Sequence, residues 1–202
     1  MTRTVTRLFD ERSQAMRAVR ELEQMGVPES AISLVGNNAE GAHDGGHDDD
    51  NETAEGAGKG ATTGGLLGGG AGLLAGLGML AIPGLGPVVA AGWLASTAVG
   101  AVAGAVAGGA AGGLLGALKD AGHSEEDAHV YAEGVRRGGT LVSVKAPDEQ
   151  ASQVEQVLNR AGSDAAMRGS SYRESGWDRF DPNGSPYSSD QIRQERIIRA
   201  PR

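Results

Sequence analysis

The chain has 202 residues, 34 of them Gly and none Cys, and carries a formal net charge of −8. An acidic balance with scattered Lys and Arg excludes a nucleic-acid surface, which needs clustered basic groups to neutralise phosphates. The absence of cysteine excludes disulfides, thiolate metal sites and cysteine nucleophiles together.

The N-terminal MTRTVTRLFDERS has no apolar core of a signal peptide, so residues 1–50 are expected to stay in the cytoplasm. Val5, Leu8 and Phe9 mark a first strand, and Asp10 is the expected N-cap of the helix that follows. In ERSQAMRAVRELEQMG the apolar positions Ala15, Met16, Val19, Leu22 and Met25 recur at helical spacing, with Gly26 as the C-terminal stop. A short turn, VPES, leads into AISLVG, a β-branched run that reads as a buried strand. Residues 1–36 thus form β-α-β.

Residues 37–55 are an acidic linker with too little apolar surface to order itself. His43 and His47 beside Asp44, Asp48, Asp49 and Asp50 are residue types that suit a divalent ion. No zinc or EF-hand spacing is met, so a solvated linker is the expected role and no metal is assigned.

From Gly60 to Leu118 there is no charged side chain, and the prolines and glycines of IPGLGP (82–87) interrupt the run. Two apolar arms of about 22–30 residues remain, against the roughly 20 helical residues that cross a bilayer. Small residues recur every fourth position: Gly56, Gly60, Gly64, Gly68, Gly72 and Gly76 before the turn, then Gly92, Ser96, Gly100, Gly104, Gly108, Gly112 and Gly116 after it. Such rows let a neighbouring helix backbone approach closely. The expected element is a glycine-zipper helical hairpin over 56–120, with the residues from Gly60 onwards packing helices. Each interior Gly costs a helix about 1 kcal/mol in water, whereas in hydrocarbon the cost of unsatisfied peptide groups enforces the helix. That favours a membrane, and the alternative is a soluble hairpin buried against the α/β domain or in an oligomer core. Four residues turn about 400°, so the row drifts about 40° per step and predicts contact with more than one neighbour, hence self-association. Lys59 and Lys119 bracket the run and place both ends on the cytoplasmic side, with Trp93 near the opposite interface. Fragments such as GAGKGATTGG lack the register of a phosphate loop.

The second half, 121–168, reads α-β-α-β. SEEDAHVYAEGVRRGG has Ser124 as N-cap, Glu125 and Glu126 in the first turn and Arg136 and Arg137 in the last, matching the helix dipole. His123 and His129 flank the helix start without a partner acid or nucleophile, so surface or capping roles are expected. TLVSVKA reads as a strand, PDEQASQVEQVLNRAG as a helix burying Ala151, Val154, Val157 and Leu158, and Asp164–Met167 as a weak last strand. The fold class expected is α+β: a ferredoxin-like (split βαβ) sandwich interrupted by the Gly/Ala-rich hairpin. Residues 169–202 are a polar, largely irregular tail with a short helix at Ser189–Ile198. Within it, Trp177 and Phe180 are candidate docking residues for the chain's own domain, a partner or a lipid headgroup layer.

The segments TRTVTRLFD, AMRAVRELEQMGVPESAISLVGNN, TGGLLGGGAGLLAGLGMLAIPGLGPVVAAGWLA and EEDAHVYAEGVRRGGTLVSVKA resemble the general-stress-protein-17M-like (heat-induced stress protein YflT-type) family over roughly residues 3–168. The resemblance implies a small α/β domain associated with bacterial stress responses and supplies no site residues. The expectation is a non-enzymatic protein without cofactor or small-molecule substrate, self-associating at the inner membrane with its α/β domain on the cytoplasmic side. The alternative is a soluble, cytoplasmic oligomeric binding or sensor module.

Overall fold

The computed structural model describes residues 1–41, 78–82, 84–97 and 109–199. In chain order these form β1 (Thr2–Phe9), α1 (Arg12–Gln24), a 3-10 turn (Glu29–Ala31), β2 (Ile32–Asn37), β3 (Gly78–Ile82) and β4 (Gly86–Gly92). There follow α2 (Gly109–Asp120), α3 (Glu125–Arg136), β5 (Thr140–Pro147), α4 (Asp148–Asn159), α5 (Ala165–Glu174) and α6 (Ser189–Arg199). The fold is α+β, with one five-stranded antiparallel sheet in the order β1-β5-β2-β4-β3.

Alternation along the strands divides the core in two. Val5, Phe9, Ile32, Leu34, Val142 and Val144 face α1 and α4, where Ala15, Val19, Leu22, Ala151, Val154, Val157 and Leu158 complete one cluster. Leu8, Val35, Leu141, Val88 and Ala90 face the other way and meet Leu114 and Leu118 of α2, Val130, Tyr131 and Val135 of α3, and Tyr172 of α5. With helices on both faces, α3 lies between the sheet and the C-terminal residues and is buried from Ala128 to Val135.

Several expectations hold in detail. Ser124 caps α3, accepting from Asp127 N at 3.0 Å; α4 buries the four residues anticipated; a helix spans Ser189–Arg199. Others are corrected. Asp10 does not cap α1, whose N-cap is Glu11 with no side-chain bond; its carboxylate instead meets Arg168 Nη2 at 2.9 Å. Met25, placed on the buried side of α1, is exposed, and Ala18 takes its share of the interior. Asp164 begins no strand. It caps α5 through Met167 N at 2.8 Å, and extended pairing there shrinks to one bridge between Leu8 and Ser163.

The largest correction lies in the glycine-rich run. Residues 78–82 and 86–92, expected as facing ends of two helical arms, are antiparallel strands with Ile82 opposite Gly86. The chain does turn within 82–87, where Leu85 N donates to Ile82 O at 3.0 Å. Sequence reasons for the strand are local and tertiary together. Val88 and Val89 are β-branched, Pro87 sits at the strand start where a missing N–H is tolerated, and Asn37–Ser33 of β2 supply the pairing partner. Gly92 is on no helix: it ends β4 at φ 80°, and a Cβ there would fall on the Ile32 carbonyl oxygen and 2.9 Å from Ser33 Cα. Trp93, expected near the far end of a helical arm, follows β4 and packs on the core with Lys145 Nζ 4.0 Å from its ring centroid. Ser96 lies in a helical turn at 93–97, its hydroxyl donating to Trp93 O at 2.9 Å.

Candidate functional site

Of the residues expected to pack helices, Gly60, Gly64, Gly68, Gly72, Gly76, Gly100, Gly104 and Gly108 lie outside the described residues, as do His43, His47 and the neighbouring aspartates. Gly112 and Gly116 are helical, in α2. This helix buries Leu114, Ala117 and Leu118 on the domain, while a Cβ added at Gly116 would meet nothing within 4 Å. Its small residue is therefore not demanded by packing among the described residues. Lys119 lies in the last turn of α2 and pairs with Glu125 at 3.3 Å.

Trp177 and Phe180 dock on their own domain. Phe180 is 1% exposed among the residues that line α3 and the sheet. Trp177 stands edge-on to Tyr172, with ring centroids 5.6 Å apart. The next residues meet the β3–β4 turn. A Cβ at Gly84 would lie 2.8 Å from Pro182 O and 2.9 Å from Asp181 O, and one at Gly86 would lie 2.9 Å from Pro186 Cβ. Thus the aromatic tail and the interruption of the glycine-rich run, two separate features in the sequence, are partners. Only glycine permits so close an approach at these two positions.

Charged groups surround this junction. Glu133 is fully buried, and its Oε1 accepts from Arg137 Nε at 2.6 Å while Arg136 Nε stands 3.6 Å from Oε2. Burial opposes the charge on Arg137, but the Glu133 hydrogen bond and charge outweigh it and raise the guanidinium's proton affinity. Arg137 also faces the Tyr172 ring at 4.4 Å and reaches Glu195 of α6 at 3.4 Å. Arg136 lies 4.7 Å from the Tyr187 ring centroid. Beside it opens a cleft of about 620 Å³, lined by Arg136, Trp177, Arg179, Asp181, Pro186 and Tyr187 among others. Arg179, also on the cleft wall, pairs with Glu125, and its Nε donates to His129 Nε2 at 3.0 Å. His129 is pushed below the ordinary imidazole range by burial first and by the Arg179 cation second. The sequence did carry one signal for this cluster, because Glu133, Arg136 and Arg137 stand at i, i+3 and i+4. Arg179 and Glu195 offer no such spacing.

A second, smaller cleft of about 320 Å³ follows the outer edge of β1. Its polar groups are engaged. Thr6 Oγ1 lies 2.7 Å from His123 Nε2 and 2.8 Å from Ser143 Oγ. Thr6 O accepts from Tyr131 Oη at 3.0 Å and from Arg7 Nη1 at 2.7 Å. Burial lowers the proton affinity of His123 and pushes the Tyr131 hydroxyl up to about 12. With Thr6 only 1% exposed, the imidazole-hydroxyl pair presents no accessible nucleophile. It also blunts the sheet edge, since the Thr6 carbonyl that would accept from an added strand is already taken.

Among the described residues no group of three or more His, Cys, Asp or Glu side chains is placed to hold a metal ion. No helix among them is long and apolar enough to cross a membrane. No protein-family model, no curated protein and no solved structure matches the chain.

Proposed function

We propose that the protein is a non-enzymatic interaction module of the stress-associated kind that its sequence resembles. In this reading a ferredoxin-like α+β domain is the rigid mount, and the Gly/Ala-rich insertion is the element through which copies of the chain associate. Support for the mount comes from topology: β1 and β2 flank β5, antiparallel to both, with α1 and α4 on one face. The observation that carries the association is the two-sidedness of α2. Its Leu114, Ala117 and Leu118 are buried on the domain, while a Cβ at Gly116, the residue a close-packed neighbouring helix needs to be small, would meet no described atom within 4 Å.

Contact with a membrane is the second reading, favoured by the absence of any charged side chain from Gly60 to Leu118. A non-enzymatic role is supported by the engagement of both described histidines, His123 with Thr6 and His129 with Arg179. Sedimentation in detergent-free buffer tests the proposal. Self-association predicts a mass above that of one chain that falls on replacing Gly116 by Leu; an unchanged monomer for both overturns it. Flotation with lipid vesicles separates the second reading.

A further inference from the structure

We propose that His129 and Arg179 form an acid-released latch: a proton on the imidazole transfers Glu125 from Arg179 to His129, and the segment 178–187 loosens from the start of α3.

The segment has little else to hold it there. Among the described residues, 178–187 form no helix or strand, and their one backbone–backbone hydrogen bond is local, Gly184 N to Asp181 O at 3.1 Å. Phe180, 1% exposed, is the apolar anchor, and Arg136 meets the Tyr187 ring. Arg179 alone joins the segment to Glu125 and His129 in the first turns of α3.

The Glu125 carboxylate serves three groups. Its Oε2 meets Lys119 of α2 at 3.3 Å, whereas Oε1 accepts from Arg179 Nη2 and stands 3.9 Å from His129 Nε2. Arg179 Nε donates to that same Nε2 at 3.0 Å. A guanidinium can only donate, so the ring is neutral in this contact, with its proton on Nδ1 and its lone pair on Nε2. A second proton lands on Nε2, turns the acceptor into a donor and sets a cation against Arg179. Oε1 of Glu125 is the acceptor beside it, and His129 and Arg179 then compete for one oxygen.

The surroundings set the direction. Burial first and the Arg179 cation second hold the imidazole neutral, Lys119 adds to them, and Glu125 and the Phe180 carbonyl oppose them. Glu133, one turn further along α3, is engaged by Arg137, and Arg173 of α5 by Glu126. The sheet residues that share the cluster of α3 are apolar. Lys119 first and Arg179 next keep Glu125 below the usual carboxylate range, so it stays charged while the imidazole titrates. The latch is closed at neutral pH and opens as pH falls through the folded value of His129. Its release moves a wall of the larger cleft, which Arg179 lines together with Trp177.

The test uses the full chain carrying Trp93→Phe, which leaves Trp177 as the sole tryptophan, and the same chain with His129→Gln or Arg179→Met added. Acrylamide quenching reads the exposure of Trp177 at about pH 7.5 and about pH 5, with circular dichroism reporting the helices. The parent is expected to quench about twofold more readily at the lower pH with its helices retained. H129Q keeps an acceptor for Arg179 and is expected to stay protected at both values, and R179M to quench readily at both. No rise in the parent overturns the latch, and so does a rise accompanied by loss of the helices, which makes the release a global unfolding. The same rise in H129Q overturns it too, because the other three histidines remain there. Proton NMR of the imidazoles decides the matter without H129Q. Removing the like charge in R179M is expected to raise the His129 midpoint by about half a pH unit or more. An unmoved midpoint overturns the contact on which the latch depends.

Discussion

Replacing Gly92 by Ala separates the observed hairpin from a helical arm by the sign of its effect. In the sheet Gly92 holds φ 80°, and its added Cβ would land on the Ile32 carbonyl oxygen and 2.9 Å from Ser33 Cα. A left-handed backbone costs an L-residue about 1–2 kcal/mol. Because the obstructing atoms are backbone, no rotamer change relieves the clash, and forcing a methyl into such a site costs about 1–3 kcal/mol more. Alanine restricts the unfolded chain and returns about 0.4–1 kcal/mol. The net loss is about 1–5 kcal/mol, or a fall in Tm of about 2–20 °C for a domain of this size. Urea titration followed by far-ultraviolet circular dichroism measures it, with the midpoint falling and the slope unchanged. Were Gly92 inside a helix, alanine would instead stabilise by about 0.5–1 kcal/mol. A neutral or stabilising G92A refutes the strand.

Three further outcomes follow from named contacts. Gly116→Ala adds a methyl that meets no described atom within 4 Å, so stability of the isolated chain rises by about 0.5–1 kcal/mol in the same titration while self-association measured by sedimentation weakens. Glu133→Ala leaves the Arg137 guanidinium, only 10% exposed, without its shortest partner and lowers stability by about 3–5 kcal/mol; a loss under 1 kcal/mol contradicts the buried pair. His129 titrates near 6.5 when unfolded and lower when folded, so the folded protein binds fewer protons between those values. Stability is therefore intact above about pH 6.5 and falls as pH drops through the folded value. His129→Gln keeps an acceptor for Arg179 and flattens that decline, leaving only the slope from His123, whose shift has the same direction. An unchanged pH profile in H129Q places the titration elsewhere.

Segments whose burial follows from their own periodicity were legible before any coordinates. The inward row of α4, the Ser124 cap and the strands at 32–37 and 140–147 each depend on neighbours within a few residues. The β3–β4 hairpin was not legible, because its decision is tertiary. GPVVAAG is short, apolar and diluted with glycine, a pattern that fits a strand or a buried helix equally until β2, some 50 residues earlier, offers a paired edge. The second four-residue row starts at Gly92, yet there glycine answers a positive φ and a close backbone rather than a helix face. Asp10 shows the same limit: its carboxylate reads as a cap from local sequence, but Arg168, 158 residues away, takes it. For the candidate site, Trp177 and Phe180 were visible as anchors, while their partner at Gly84 and Gly86 was hidden inside what read as a helix-breaking turn.

The most direct measurement uses the absence of native cysteine. Gly116→Cys introduces a single thiol on the open side of α2, and a disulfide between two copies requires their Cα atoms within about 4.4–6.8 Å. Close association through this face predicts a covalent dimer of G116C under mild oxidation, and none for Glu149→Cys on the exposed surface of α4. If G116C stays monomeric, or cross-links no faster than E149C, the insertion is not the face through which copies meet.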